Sequence, residues 1–124
     1  MAAPGAELPV IQACHDFTVW LLPKIGRLPR DLRFTLGEQI ERLTLHILEG
    51  LIRARYDTQR GPILDTVNVD LEVLRHLIRV AHDLKALPTK AYGDAAKKLL
   101  DIGGQVGGWR KSSEWKSSER KATP

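Results

Sequence analysis

Cysteine is nearly missing from this chain. Cys14 stands alone among 124 residues, so no internal disulfide can form, and a reducing, cytoplasmic setting is the expectation. Long apolar runs are missing too. Charges interrupt every stretch of the length a membrane span needs, about 18 residues, so no membrane partner is expected. Met1 to Asp16 contains no Lys or Arg and lacks the charged start of a secretory signal. Serine is confined to Ser112, Ser113, Ser117 and Ser118, which leaves the body of the chain without a serine nucleophile. No Gly-x-x-x-x-Gly-Lys loop offers a cradle for nucleotide phosphates. His15, His46, His76 and His82 form no His-x-x-x-His pair, and no Glu-x-x-His motif is present, so neither a metal nor another cofactor is expected. Cys14 adjoins His15, but helical neighbours point in different directions, and adjacency alone makes no catalytic pair. An enzyme with a small-molecule substrate is not the expected reading, and no catalytic residue is assigned.

Strand signals are also missing. Apolar and polar residues do not alternate over any sustained run, and no Asn-Gly or Asp-Gly hairpin turn occurs. What is present is helical period. Breakers at Gly26–Pro29, Gly61–Pro62 and Pro88 divide the chain into four segments. Phe17, Leu21, Ile25 and Leu28 share one face of a first helix over about 9–27, with a kink expected at Pro23. Leu36, Ile40, Leu43, Ile47, Leu51 and Ala54 make the seam of a second over about 31–57. Leu64, Val67, Leu71, Leu74, Ile78 and Ala81 do the same for a third over about 62–86. Tyr92, Ala96, Leu99, Ile102 and Val106 do so for a fourth over about 89–111, with Thr89 as its expected N-cap. Four helices with short connections predict an all-α fold, an antiparallel up-and-down four-helix bundle. Lys-Ser-Ser-Glu occurs at 111–114 and again at 116–119, residues 112–124 hold few apolar groups, and a disordered basic tail is expected over 112–124.

The net charge is +4, and its distribution says more than its sum. Arg110, Lys111, Lys116, Arg120 and Lys121 face only Glu114 and Glu119 in the last stretch of chain. A mildly basic body with a basic tail suits an acidic partner such as nucleic acid; simple solubility is the other reading. The up-and-down topology sorts the cations. Lys24, Arg27, Arg30, Arg33, Lys85 and Lys90 fall at the end formed by the first and third connections, called the first end below. Arg53, Arg55, Arg60, Arg110 and Lys111 fall at the second end, with the second connection. The carboxylates have bland partners: Glu38 with Arg42, Glu49 with Arg53, Glu72 with Arg75 and Asp94 with Lys98 read as solvated ion pairs.

Two features exceed what a lone bundle needs. Gly103, Gly104, Gly107 and Gly108 sit inside the fourth helix, where each costs roughly 1 kcal/mol relative to Ala. Close approach of another helix is the preferred account; local fraying is the alternative. Leu45, Leu48 and Ile52 on the second helix, and Val73, Leu77, Val80 and Leu84 on the third, lie outside the main seams. They serve either contacts between subunits or a second packing face within the bundle.

Leu28-Pro29-Arg30-x-x-Arg33-Phe34-x-Leu36-Gly37-x-Gln39-Ile40, followed by Ile47-Leu48-Glu49-Gly50-Leu51-Ile52, resembles the accessory variability determinant (Avd) proteins of diversity-generating retroelements. Leu71-Glu72-x-Leu74-Arg75 and Ile102-Gly103-x-x-x-Gly107-Gly108-Trp109 resemble that family's third and fourth helices. A sister group, the four-helix bundles encoded within 23S ribosomal RNA intervening sequences, shares a similar Pro-Arg-x-x-Arg-Phe-x-Leu motif. Its usual Ala-Glu-Gly is Leu48-Glu49-Gly50 here, which favours the Avd side. The resemblance implies a homopentameric barrel of four-helix bundles that is not itself catalytic. It implies binding to a reverse transcriptase and, without sequence readout, to RNA and DNA, in support of mutagenic retrohoming. Arg30 and Arg33 carry over onto the family's basic motif, and Trp109 onto its closing aromatic; Arg53 and Arg55 map to no family residue. The alternative is a structural or protein-interaction bundle of the intervening-sequence type with no nucleic-acid role.

Overall fold

The computed structural model describes the backbone of residues 7–122 and the side chains of residues 9–113. Helix α1 spans Glu7–Ile25, α2 Glu38–Tyr56, α3 Arg60–Asp83 and α4 Thr89–Ala122. A single helical turn, Arg30–Leu32, and a π-helical turn, Arg33–Gly37, lead into α2. No strand occurs among the described residues.

The helices close a ring in which α1 packs on α2, α2 on α3, α3 on α4 and α4 back on α1. Cross-contacts show the directions. Gly50 lies against Val67, and His46 reaches Asp70, so numbers fall along α3 as they rise along α2. Arg110 reaches Asp65, Arg75 reaches the Leu99 carbonyl, and His82 stacks on Tyr92, so α3 and α4 also run oppositely. This is the up-and-down four-helix bundle that the four periodic segments predict.

The seams become the core. Phe17, Leu21, Ile25 and Leu28 are buried, as are Leu64, Val67, Leu71, Leu74, Ile78 and Ala81. A fully buried Leu or Ile contributes about 1.5–3 kcal/mol. In α2, Ile40, Ile47, Leu51 and Ala54 are buried while Leu43, and Leu36 in the π-turn before it, are half-buried. Thr44 completes the stripe, its hydroxyl donating to the Ile40 carbonyl at 2.7 Å. In α4, Ala95 and Trp109 join Leu99, Ile102 and Val106, whereas Tyr92 and Ala96 stay half-buried.

Several boundaries differ from the sequence expectation. Helix α1 runs through Pro23 to Ile25. Pro23 has no N–H to offer the Val19 carbonyl, and Val19 lies on the exposed face, where water can serve it. The second helix is not unbroken over 31–57. Its π-turn places Gly37 beneath the end of α1, where a Cβ would meet Ile25 Cγ2 and Leu28 Cδ1, each at 3.4 Å. The Thr35 hydroxyl lies 3.3 Å from both the Asp31 and Leu32 carbonyls and donates to these loosened acceptors. Asp57 is extended and stops α2, its carboxylate accepting the Gln59 N–H at 2.8 Å.

Helix α3 closes with the Ala86 N–H on the Ala81 carbonyl and the Lys85 N–H on that of His82. Lys85 takes the left-handed position usually given to glycine, at φ 61°. Thr89 is the first residue of α4 and not its cap. The Pro88 carbonyl accepts the Tyr92 N–H, and the Thr89 hydroxyl sits 3.3 Å from His82 Nε2. Residues 112–122 continue α4, where the sequence predicts a separate disordered tail. The side chains of Lys116, Arg120 and Lys121 lie outside the described residues.

The four glycines of α4 serve no close packing among the described residues. A Cβ at Gly104, Gly107 or Gly108 would meet nothing within 4 Å, and one at Gly103 would meet only Arg75 Nη2 at 3.5 Å. The close approach is at Gly50, where a Cβ would stand 2.8 Å from Val67 Cγ2.

Candidate nucleic-acid interface

The first end joins the close of α1, the turns before α2, the close of α3 and the start of α4. Residues 24–37 carry Lys24, Arg27, Arg30 and Arg33 against a single carboxylate, Asp31. Arg27 and Arg30 are exposed, and among the described residues no hydrogen bond, ion pair or ring contact engages their side chains. The exposed Lys85 side chain is likewise unengaged among those residues. Lys24 sits 4.4 Å over the Trp20 ring, and Lys98 approaches the same ring from α4 at 5.1 Å. Lys90 pairs with Asp94 at 3.0 Å, which holds the Asp94 carboxyl below the usual carboxylate range.

Arg33 differs from its neighbours. Its Nη1 donates to the Gly26 carbonyl at 3.4 Å, its Nε is buried without a partner, and its guanidinium lies 5.2 Å from the Phe34 ring. The side chain ties the α2 lead-in to the end of α1. Phe34 beside it is 65% exposed.

The second end is chemically quieter. Arg53 donates to Glu49 from Nε and Nη2, at 3.1 and 2.7 Å. Arg110 grips Asp65 with Nε on Oδ1 at 2.8 Å and Nη2 on Oδ2 at 3.3 Å. These arginines hold the Glu49 and Asp65 carboxyls below their ordinary range. Gly61 gives the Arg110 guanidinium room, since a Cβ there would stand 3.3 Å from its Cζ. Arg60 donates to the Asp57 carbonyl at 3.2 Å and lies over buried Trp109 at 5.8 Å. Arg55 sits 5.4 Å from the ring of Tyr56, and Lys111 is exposed.

The structure thus brings the candidate residues to the two expected ends but divides them by availability. The Arg110–Asp65 pair joins residues 45 apart in sequence, and no local spacing reveals it. Glu38–Arg42, Glu49–Arg53 and Glu72–Arg75 pair as their spacing predicts. Asp94 takes Lys90 instead of Lys98, whose ammonium lies over Trp20.

Elsewhere the surface offers little chemistry. A groove of about 360 Å³ between α1 and α4 is lined by Ala13, Asp16, Phe17, Trp20, Lys98, Asp101 and Ile102, with no hydroxyl, thiol or imidazole among them. Burial pushes the Cys14 thiol up to about 11, so it stays protonated at neutral pH. No group of three potential metal ligands gathers among the described residues. No helix among those residues is long and apolar enough to cross a membrane. Leu45, Ile52, Val73, Val80 and Leu84 are exposed, whereas Leu48 and Leu77 are half-buried against the core. A second face inside the bundle therefore accounts for only two of the seven. Leu45 and Ile52 lie on the side of α2 turned away from His46 and Gly50, which meet α3, so the exposed residues form two strips.

The described residues thus form a four-helix bundle with cations at both ends and a protonated, buried thiol. The chain belongs to the bAvd-like family, whose model matches residues 9–113. It is an Avd-type accessory protein, and the match decides for the Avd side of the two resemblances. No curated protein matches the chain.

Proposed function

We propose that this protein binds nucleic acid and the reverse transcriptase of a diversity-generating retroelement, and so supports mutagenic retrohoming without catalysing a step itself. The observation that carries the reading is the unengaged set Arg27, Arg30 and Lys85 at the first end. Cations without carboxylate partners are available to phosphates, and phosphate contacts position a strand without reading its sequence. RNA and DNA are both suitable ligands on that account. The two exposed apolar strips support assembly of several copies, with a homopentamer the number the family resemblance implies. The same strips would also suit a module that holds proteins alone, the second reading.

A titration of labelled RNA across a salt series tests the first reading against the second. Log affinity should fall linearly with log salt, by roughly 0.7–0.9 for each phosphate neutralised. Absence of binding at low salt would favour the protein-only module. Co-purification with the cognate reverse transcriptase tests the protein partner, and light scattering tests the assembly.

A further inference from the structure

We propose that the first end is a platform for single-stranded nucleic acid, where an unpaired base stacks on Phe34 and flanking phosphates meet Arg27, Arg30 and Lys85. This rests on the nucleic-acid reading above and narrows it to strands with unpaired bases. Phe34 is the starting point. A phenylalanine is normally driven into a core, yet this one is 65% exposed. The surrounding backbone is ordered by specific bonds. The π-turn is braced by the Thr35 hydroxyl, and the Arg33 guanidinium beside the ring is anchored on the Gly26 carbonyl at 3.4 Å. The backbone that carries the ring is thus fixed and has little freedom to lose when a base stacks on it.

The surroundings supply the rest of a single-strand site. Such sites combine cations that follow the backbone with an aromatic face that accepts any base. Arg33 joins the Phe34 segment to Gly26, which places exposed Arg27 next to it, and Arg30 lies one turn before Phe34. Lys85 adds a cation where the chain would otherwise favour glycine, at φ 61°. In a duplex the bases are already stacked on one another, so no free base face is left for the ring.

Tyr56 provides an internal control. It is 77% exposed and lies 5.4 Å from Arg55, so it matches Phe34 as an aromatic. Its neighbours do not match. Asp57 follows it directly, Arg53 is held by Glu49, and Arg60 is held at the Asp57 carbonyl. A base stacked there would find few available phosphate partners.

The test is fluorescence anisotropy of the full chain with labelled oligo(dT), alone and annealed to oligo(dA). Phe34→Ala should weaken single-strand binding about fivefold or more. Duplex binding should change by less than about twofold, because it depends on the unaltered cations. Phe34→Trp should restore the single-strand affinity, and Tyr56→Ala should leave both ligands unaffected. Light scattering and thermal melting on Phe34→Ala should match the unmodified protein. Equal losses on both ligands, or none on either, would overturn the platform alone. Loss of binding together with loss of assembly would overturn it in favour of Phe34 as a contact between copies. If the unmodified protein binds neither ligand at low salt, the nucleic-acid reading fails and takes the platform with it.

Discussion

At the first end of the bundle, Arg27 and Arg30 stand on a segment that offers them only Asp31, and neither is engaged by it. At the second end, Arg53 and Arg110 each hold a carboxylate through two nitrogens. The aromatics follow the same division. Phe34 is mostly exposed, whereas Trp109 is 4% exposed and roofed by Arg60. Counting cations makes the two ends look alike, but the disposition of the carboxylates separates them. A paired arginine presents little net charge, and where the pair joins two helices, as Arg110 and Asp65 do, it also braces the fold; an unpaired one remains available to a phosphate.

The largest test of this division concerns the aromatics. Trp109→Ala should destabilise the protein by about 3–5 kcal/mol, since it opens a cavity where α4 closes the core. Phe34→Ala should change stability by no more than about 0.5 kcal/mol. Urea unfolding of the two variants measures both. Similar losses would mean that the first end is as firmly built as the second.

The cations provide the next comparison. Arg27→Ala with Arg30→Ala should lower RNA affinity about tenfold at low salt and flatten the salt dependence by roughly 0.7–0.9 per lost contact. Its melting temperature should not move. Arg53→Ala with Arg110→Ala should do the reverse, lowering the melting temperature while binding changes by less than about twofold. Arg33 belongs with the structural group despite its position. Arg33→Ala removes the bond to the Gly26 carbonyl and should cost about 1 kcal/mol, so Arg30 and Arg33 are not an equivalent pair. A melt that leaves Arg33→Ala unchanged would return it to the binding surface.

The fold was legible because it rests on periodicity. Ile40, Ile47 and Leu51 must share a face in any helix, and nothing about their surroundings alters that. The ends were legible as locations for the same reason. What escaped depends on pairs distant in sequence or on a local break in period. The π-turn at Arg33–Gly37 follows from the fit of Gly37 under Ile25 and Leu28, a tertiary requirement. Arg110 and Asp65 meet only because α3 and α4 run oppositely in one register. The glycines of α4 suggest close packing, yet the close approach belongs to Gly50, the lone glycine of α2, which no repeat of glycines marks.

Acid should erode the Arg110–Asp65 contact at the second end. The Arg110 guanidinium holds the Asp65 carboxyl below its ordinary range, so the folded state binds its proton less readily than the unfolded chain. The stabilisation is fully present above the ordinary carboxylate value and is lost as pH falls through the lowered one. Melting temperature should therefore decline on acidification through that window, and Asp65→Asn should flatten part of the decline. NMR titration of the Asp65 carboxyl gives the direct reading. An ordinary value there would mean that the pair does not persist in solution.

Lys85 carries the smallest expected change. It closes α3 in the left-handed conformation, where an L side chain is disfavoured and glycine is not. Lys85→Gly should relieve that strain while giving the unfolded chain more freedom, so the net gain is limited to about 0.5–1 kcal/mol. Its bonds to Ala81 and His82 are made by backbone N–H groups and survive the change. Stability should rise, and affinity for RNA should fall slightly at low salt, because the first end loses a cation. A gain in stability with unchanged binding would remove Lys85 from the platform and leave Arg27 and Arg30 as its cations. A loss of stability would mean that the Lys85 side chain holds the connection in place, which would make the first end more firmly built than its unpaired arginines indicate.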